Sequence, residues 1–190
     1  MKTRSTFFYL ALFVTFAVQA QSIVLFKIQP NGTFLTEDGK DYQIVEFEGK
    51  TAQELYDMVL LNAKQIFNDP QDVITGNEPL NISINAKFDV PKEAFGPRHD
   101  FVVSLVSKSF YVLSFRDGRV KVDAPCIDQN LYAVYDSGRD QDFTLAYMAG
   151  VSFDKKGNVK ERKVEFIKKI EAKVNGAVEA LLGIKKHEDW

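Results

Sequence analysis

Residues Tyr42 to Phe67 read YQIVEFEGKTAQELYDMVLLNAKQIF, and this stretch decides the fold. It spells a strand, a tight turn and an amphipathic helix. Thr51 is a good N-cap, and Glu54, three residues on, can reach back to complete a capping box. Leu55, Met58, Val59, Ala63, Ile66 and Phe67 recur at helical spacing and form one apolar stripe. Gln53, Asp57, Lys64 and Gln65 fall away from it. Asn68-Asp69-Pro70 predicts the stop, because proline biases the residue before it away from helical torsions. A helix with one apolar face must lie on something, so the later segments are expected to supply a sheet.

They do so in sequence order. Ile82, Ile84, Ala86, Phe88 and Val90 alternate with Ser83, Asn85, Lys87 and Asp89, the pattern of a half-buried strand. Pro91 to Asp100 reads as a loop. Phe101 to Val106 and Phe110 to Phe115 read as strands, with Ser107-Lys108-Ser109 as a turn or bulge between them. In Arg116-Asp117-Gly118-Arg119, the two-residue Asp-Gly loop suits a type I′ hairpin turn. That turn sets a register in which Phe115 opposes Val120 and Leu113 opposes Val122. Ser114, Arg116, Arg119 and Lys121 then share the other face.

From Asn158 the period is helical again. Asn158 followed by Glu161 resembles a capping box, and Val164, Ile167, Ile170, Val174, Ala177, Leu181 and Ile184 step by threes and fours. Gly176 would cost about 1 kcal/mol relative to alanine inside such a helix, and Gly183 suits its C-cap. Packing on the sheet is expected in place of a coiled coil. The order strand, helix, antiparallel strands, helix predicts an α+β domain, an antiparallel sheet with two helices packed on one face.

The chain of 190 residues suffices for one domain with a sizeable core. Met1 to Ala20 reads as a signal peptide: Lys2 and Arg4, an apolar run from Phe7 to Val18, and the small-residue pattern Val18-Gln19-Ala20. The expectation is an exported protein, periplasmic or secreted, whose mature chain starts at Gln21 and has no transmembrane segment. Loss of Lys2 and Arg4 takes the formal charge from −2 to −4, which argues against general nucleic-acid binding. The remainder divides into a hairpin over 21–40 at a sheet edge, a core of strand, helix and strands over 41–125, a variable insert over 126–157 and a terminal helix over 158–184. Within the insert, Phe143 to Phe153 reads as a further strand. Asn31-Gly32-Thr33 and Asn81-Ile82-Ser83 match a glycosylation pattern by chance, and turn chemistry explains Asn31-Gly32. Cys126 is the one cysteine, and a buried structural thiol is expected.

The strand Tyr42 to Phe47, Gly49-Lys50-Thr51 leading into Glu54-Leu55-Tyr56, Ile82-Ser83-Ile84, Phe115-Arg116-Asp117-Gly118-Arg119-Val120, the terminal helix and the exported start together carry a resemblance. The chain resembles an exported bacterial domain of unknown function with a TATA-binding-protein-like fold. The resemblance implies that fold and its β-α-β(n)-α order, and brings no catalytic or binding residues with it. A shared fold does not imply DNA binding.

The residues carry little specific chemistry. His99 and His187 are the only histidines, and no spacing suggests a metal site. There is no phosphate loop between a strand and a helix, and no nucleophile elbow. No catalytic residue, metal or cofactor is expected. Ser83, Asn85 and Lys87, with Arg116, Arg119 and Lys121, are expected to point away from the helices on an open sheet face, and are the candidate binding residues. Phe88 and Phe115 alternate onto the buried side, so that face is expected to lack the aromatic platform of a single-strand binder. The expected function is a non-catalytic binding or assembly module of the cell envelope, with an envelope protein or small ligand as partner and no nucleic acid. The alternative is a carrier holding a small apolar ligand between the terminal helix and the sheet.

Overall fold

The computed structural model describes residues 26–67, 74–94, 102–128, 130–135, 141–144 and 150–184. The signal segment, Asn68 to Pro70, His99 and His187 lie outside the described residues. The elements are β1 (Phe26–Ile28), β2 (Phe34–Thr36), β3 (Tyr42–Glu46), α1 (Ala52–Ile66), β4 (Ile74–Asn77), β5 (Asn81–Ala94), β6 (Val102–Arg116), β7 (Arg119–Asp123), β8 (Cys126–Ile127), β9 (Asn130–Tyr135), β10 (Gln141–Thr144) and α2 (Val164–Leu181).

The antiparallel main sheet runs β10-β9-β6-β5-β4. β6 is its spine: one side pairs along its length with β5, and the other is shared by β7, β8 and β9 in turn. β3 extends the sheet by pairing with β7. The hairpin register is the expected one, Phe115 opposite Val120 and Leu113 opposite Val122. Gly118 takes φ 76° in the turn, a torsion that L side chains avoid and the type I′ turn requires. In β4, a Cβ at Gly76 would collide with the Asn81 carbonyl, which explains glycine there.

Both helices cover one face. Val45, Ile82, Leu113, Val120 and Val122 of the sheet meet Leu55 and Val59 of α1, all at most 1% exposed. Tyr56 adds an edge-to-face contact with Phe115, ring centroids 5.7 Å apart. From α2, Ile167, Ile170, Val174, Ala177 and Leu181 are buried as the stripe predicts. Phe166 and Val178 join them from outside that stripe, because α2 meets the β1–β2 hairpin as well as α1 and β5. Burial pushes the Tyr111 phenol up to about 12, against a hydrogen bond with Ser109.

α1 begins as read. Thr51 accepts from the Glu54 amide, and the Glu54 carboxylate accepts from the Thr51 amide at 2.8 Å. A further acceptor comes from far along the chain: Asp117 Oδ1 takes the Ala52 amide at 2.8 Å. The Gly118 amide bonds to Lys50 O, and the Phe47 amide to Gly118 O, each at 2.7 Å. The β6–β7 turn therefore sits on the entry of α1. The far end of α2 is closed by a Schellman arrangement, Ile184 N to Glu179 O and Gly183 N to Ala180 O, with Gly183 at φ 67°.

Several expectations are corrected. β5 continues through Pro91 to Ala94. The register steps from Val90 opposite Leu105 to Glu93 opposite Val103, so Pro91 and Lys92 stand against Ser104 in a bulge. A proline without an N–H is tolerated at such a site. β6 is unbroken through Ser107 to Ser109, which pair with Phe88 to Ala86. The inward Ser109 hydroxyl donates to Ala86 O at 3.3 Å, so the polar run does not interrupt the ladder. β1 and β2 form their own two-stranded sheet and do not join the main sheet's edge. Asn175 of α2 holds β1, its Oδ1 accepting from Phe26 N at 2.8 Å and its Nδ2 donating to Phe26 O at 3.0 Å. Glu171 accepts from Ile28 N at 3.1 Å. Phe143 to Phe153 is not one strand: β10 ends at Thr144, and residues 150–152 are helical. Asn158 is not the cap of α2. Asp154 takes its amide at 2.9 Å in a turn, and α2 starts only after a 3-10 turn at Glu161–Lys163. Cys126 is exposed, because its neighbour Ile127 fills the inward position of β8.

Candidate functional site

The uncovered face of the sheet alternates with the core face residue by residue. Ser83 is half-buried, and Asn85, Lys87, Arg116, Arg119 and Lys121 are exposed. Pairing brings only part of this set together. Arg116 opposes Arg119, and Arg119 opposes Glu46. Ser114 opposes Lys121, and Lys121 opposes Ile44. These rows floor a groove of about 550 Å³, lined by Tyr42, Ile44, Leu80, Ser114, Phe115, Arg116, Arg119 and Lys121. Ser83, Asn85 and Lys87 stand further along β5, opposite Val112, Phe110 and Lys108, and do not line it.

The groove is cationic with apolar rims. Ile44 is 43% exposed and Leu80 62%. The Lys121 ammonium donates to Asp123 Oδ1 at 2.6 Å and lies 5.1 Å from the Tyr42 ring centroid. The hydrogen bond to Asp123 is the main cause that holds the Lys121 ammonium above its ordinary value, so it is charged throughout the neutral range. Among the described residues, neither Arg116 nor Arg119 makes an ion pair. Two guanidiniums set directly opposite one another repel, and an oxyanion lying between them relieves that repulsion through charge-assisted hydrogen bonds.

Sequence reasoning missed the apolar part of this face. Phe110, 39% exposed, points outward opposite Asn85 and Cys126. Tyr42, Ile44 and Leu80 border the groove. The expectation that the face lacks aromatics is therefore corrected by Phe110 and Tyr42. For Phe110 the signal was present: once the turn fixes Phe115 and Leu113 inward, the parity of the strand turns Phe110 outward. For Ile44 it was not, because Tyr42-Gln43-Ile44-Val45 carries apolar groups on both faces.

Beneath α2, the space lined by Ile66, Phe67, Tyr111 and Ala177 among others is about 30 Å³, room for about two waters. Among the described residues no group of three or more histidine, cysteine or carboxylate side chains is placed to hold a metal ion, and no helix is long and apolar enough to cross a membrane.

No family model and no curated protein matches this chain. Its fold does match solved structures. It is similar to a DUF4468 family protein from Bacteroides ovatus ATCC 8483. The two superpose with a TM-score of 0.51 over 90% of this chain and 95% of the other, at 9% identity. A TBP-like protein from Parabacteroides distasonis ATCC 8503 aligns over 75% of this chain and 86% of its own, at 13% identity and a TM-score of 0.47. At such identities the likeness is one of fold. The DUF4468 neighbour assigns no chemistry to the groove.

Proposed function

We propose that this protein is an exported, non-catalytic binding or assembly module of the bacterial cell envelope, and that its partner docks on the open sheet face. One observation carries the reading: Arg116, Arg119, Lys121 and Ser114 converge on a groove of about 550 Å³ rimmed by exposed Ile44 and Leu80. A cationic floor with apolar rims suits an anionic, partly apolar surface. The reading of Met1 to Ala20 as a signal peptide supports export, and intact mass of the secreted or periplasmic protein tests it. A carrier role would need room beneath α2, and among the described residues the space there is about 30 Å³, which does not favour it.

Nucleic acid is not the partner proposed. The three cations lie beside Glu46 and Asp123 in a chain of net negative charge, and phosphate-driven binding of so few contacts weakens steeply with salt. The test places a photo-reactive residue at Ser114 or, as control, at Lys168 on the solvent side of α2. Cross-links to an envelope protein from Ser114 that vanish with Arg116→Ala plus Lys121→Ala support the reading. Equal cross-linking from Lys168, or sub-micromolar DNA binding that survives physiological salt, would overturn it.

A further inference from the structure

β3 has one occupied and one open edge. Phe47 N donates to Gly118 O and Asp41 O accepts from Ala124 N, so the odd-numbered residues of this strand turn their backbone groups toward β7. By the alternation of an antiparallel ladder, Tyr42, Ile44 and Glu46 turn theirs away. Among the described residues, nothing bonds to those groups. The contrast with β1 is direct, since Asn175 and Glu171 are spent on covering β1's free edge. β3 also lacks common edge protections: it holds no proline, no lysine and no bulge.

Beside this open edge runs a trough of about 630 Å³, lined by Tyr42 and Ile44 and, from the end of β2, by Thr36, Glu37, Asp38 and Lys40. Asp38 and Lys40 are already paired with each other at 2.5 Å. Tyr42 and Ile44 line the cationic groove too, so trough and groove meet over these two side chains. An added strand would lie about 4.8 Å outside β3. Its side chains on the open-face side would cross Ile44 toward Lys121 and Arg119.

We propose that β3 is a docking edge for an extended peptide segment of a partner, which adds a strand antiparallel or parallel to Tyr42–Glu46 and carries apolar residues alternating with acidic ones. Main-chain hydrogen bonds to Tyr42, Ile44 and Glu46 supply the attachment. The alternating strand turns its acidic side chains to the open face, where their methylenes cross Ile44 and Tyr42 and Arg119 with Lys121 selects the carboxylates. It turns its apolar side chains to the opposite face, on the Gln43 side of the trough. The Thr36–Lys40 turn, which lines the trough beside β3, leaves room for a single strand better than for the edge of a second whole sheet. The proposal rests on the reading of this face as a binding surface and names the partner's chemistry.

The test uses the whole exported chain and a labelled peptide of alternating valine and glutamate. Its twin has all the amide nitrogens of the alternating stretch methylated, which deletes the donors on both of its edges but keeps the side chains. Saturable binding of the first and none of the second is expected, with amide exchange at Tyr42, Ile44 and Glu46 slowed only when the peptide is bound. Ile44→Pro, which removes an outward N–H and leaves the β3–β7 ladder intact, is expected to weaken binding by at least about tenfold. Equal binding of the methylated twin overturns the proposal without recourse to any variant. If Arg119→Ala with Lys121→Ala abolishes binding while methylation and Ile44→Pro do not, the face binds anions and the edge does not dock. Slow exchange at Ile44 in the free protein means that the edge is already covered, by another segment or a second copy, and also overturns it.

Discussion

The two helices lie on the same face of one sheet and are held there in opposite ways. α1 buries four of its fifteen residues, Leu55, Tyr56, Val59 and Ala63, and its entry is fixed by a capping box plus Asp117. α2 buries nine of eighteen, and its N-cap residue Lys163 makes no capping side-chain hydrogen bond. What α2 lacks in local punctuation it receives from around it: Asn175 and Glu171 grip β1, and Asn62 of α1 donates to Leu181 O at 2.9 Å. The lesson is that a helix specified by its own termini can be read from a few residues. One specified by its surroundings is read along its core-facing stripe and, here, at its Gly183 C-cap.

The comparison predicts unequal responses. Deleting from Asn158 onward strips the sheet's apolar face of side chains worth roughly 1.5–3 kcal/mol each when buried. The shortened protein is expected to lose its cooperative thermal transition, and a monomer that melts as before would make α2 an appendage. Asn175→Ala should come next. It leaves the buried N–H and C=O of Phe26 without partners, at about 1–3 kcal/mol for each group, read as a lower denaturant midpoint. An unchanged midpoint would mean that water replaces the amide there.

Smaller effects belong to the caps. Thr51→Ala is expected to cost about 0.5–2 kcal/mol, whereas Lys163→Ala at the matching position of α2, which removes no capping bond, should lower the melting temperature less. Equal losses at the two sites would erase the distinction between the helices. Smallest is a pH effect confined to α1. Hydrogen bonds from the Thr51 backbone, then its side chain, hold the Glu54 carboxyl below its ordinary value of 4.5. The unfolded chain therefore takes up the proton first as pH falls. The contribution is complete above the ordinary value and is lost as pH drops through the lower, folded one. Glu54→Gln should flatten the acid limb of the melting curve in that window, and a limb identical to wild type would remove Glu54 from the account.

The same distinction explains how much was legible. The capping box of Thr51 and Glu54 spans four residues and the Asp117-Gly118 turn two, so short-range chemistry determined both, and the turn carried its register into β6 and β7. Asn158 misled because an asparagine with a glutamate three residues on looks like a cap, while Asp154 had already engaged its amide. Pro91 and the Ser107–Ser109 run looked like breaks because a bulge and an inward serine hydroxyl satisfy them only in the paired sheet. Of the candidate site, alternation found Arg116, Arg119 and Lys121. It could not find Ile44, whose place beside Lys121 depends on β3 meeting β7 across most of the core.

The Asp117–Ala52 bond joins groups 65 residues apart in sequence, and this bears on the order of folding. A two-stranded ribbon around Asp117-Gly118 needs only local closure and forms within about 1–10 μs. The segment 51–66, cut out as a peptide, would keep the Thr51–Glu54 box at most, and a helix of that length is marginal in water. Its third cap arrives with the finished ribbon, after a long loop has closed at an entropic cost. Helix α1 thus reaches full strength only when the ribbon docks, which couples its persistence to a contact made far along the chain.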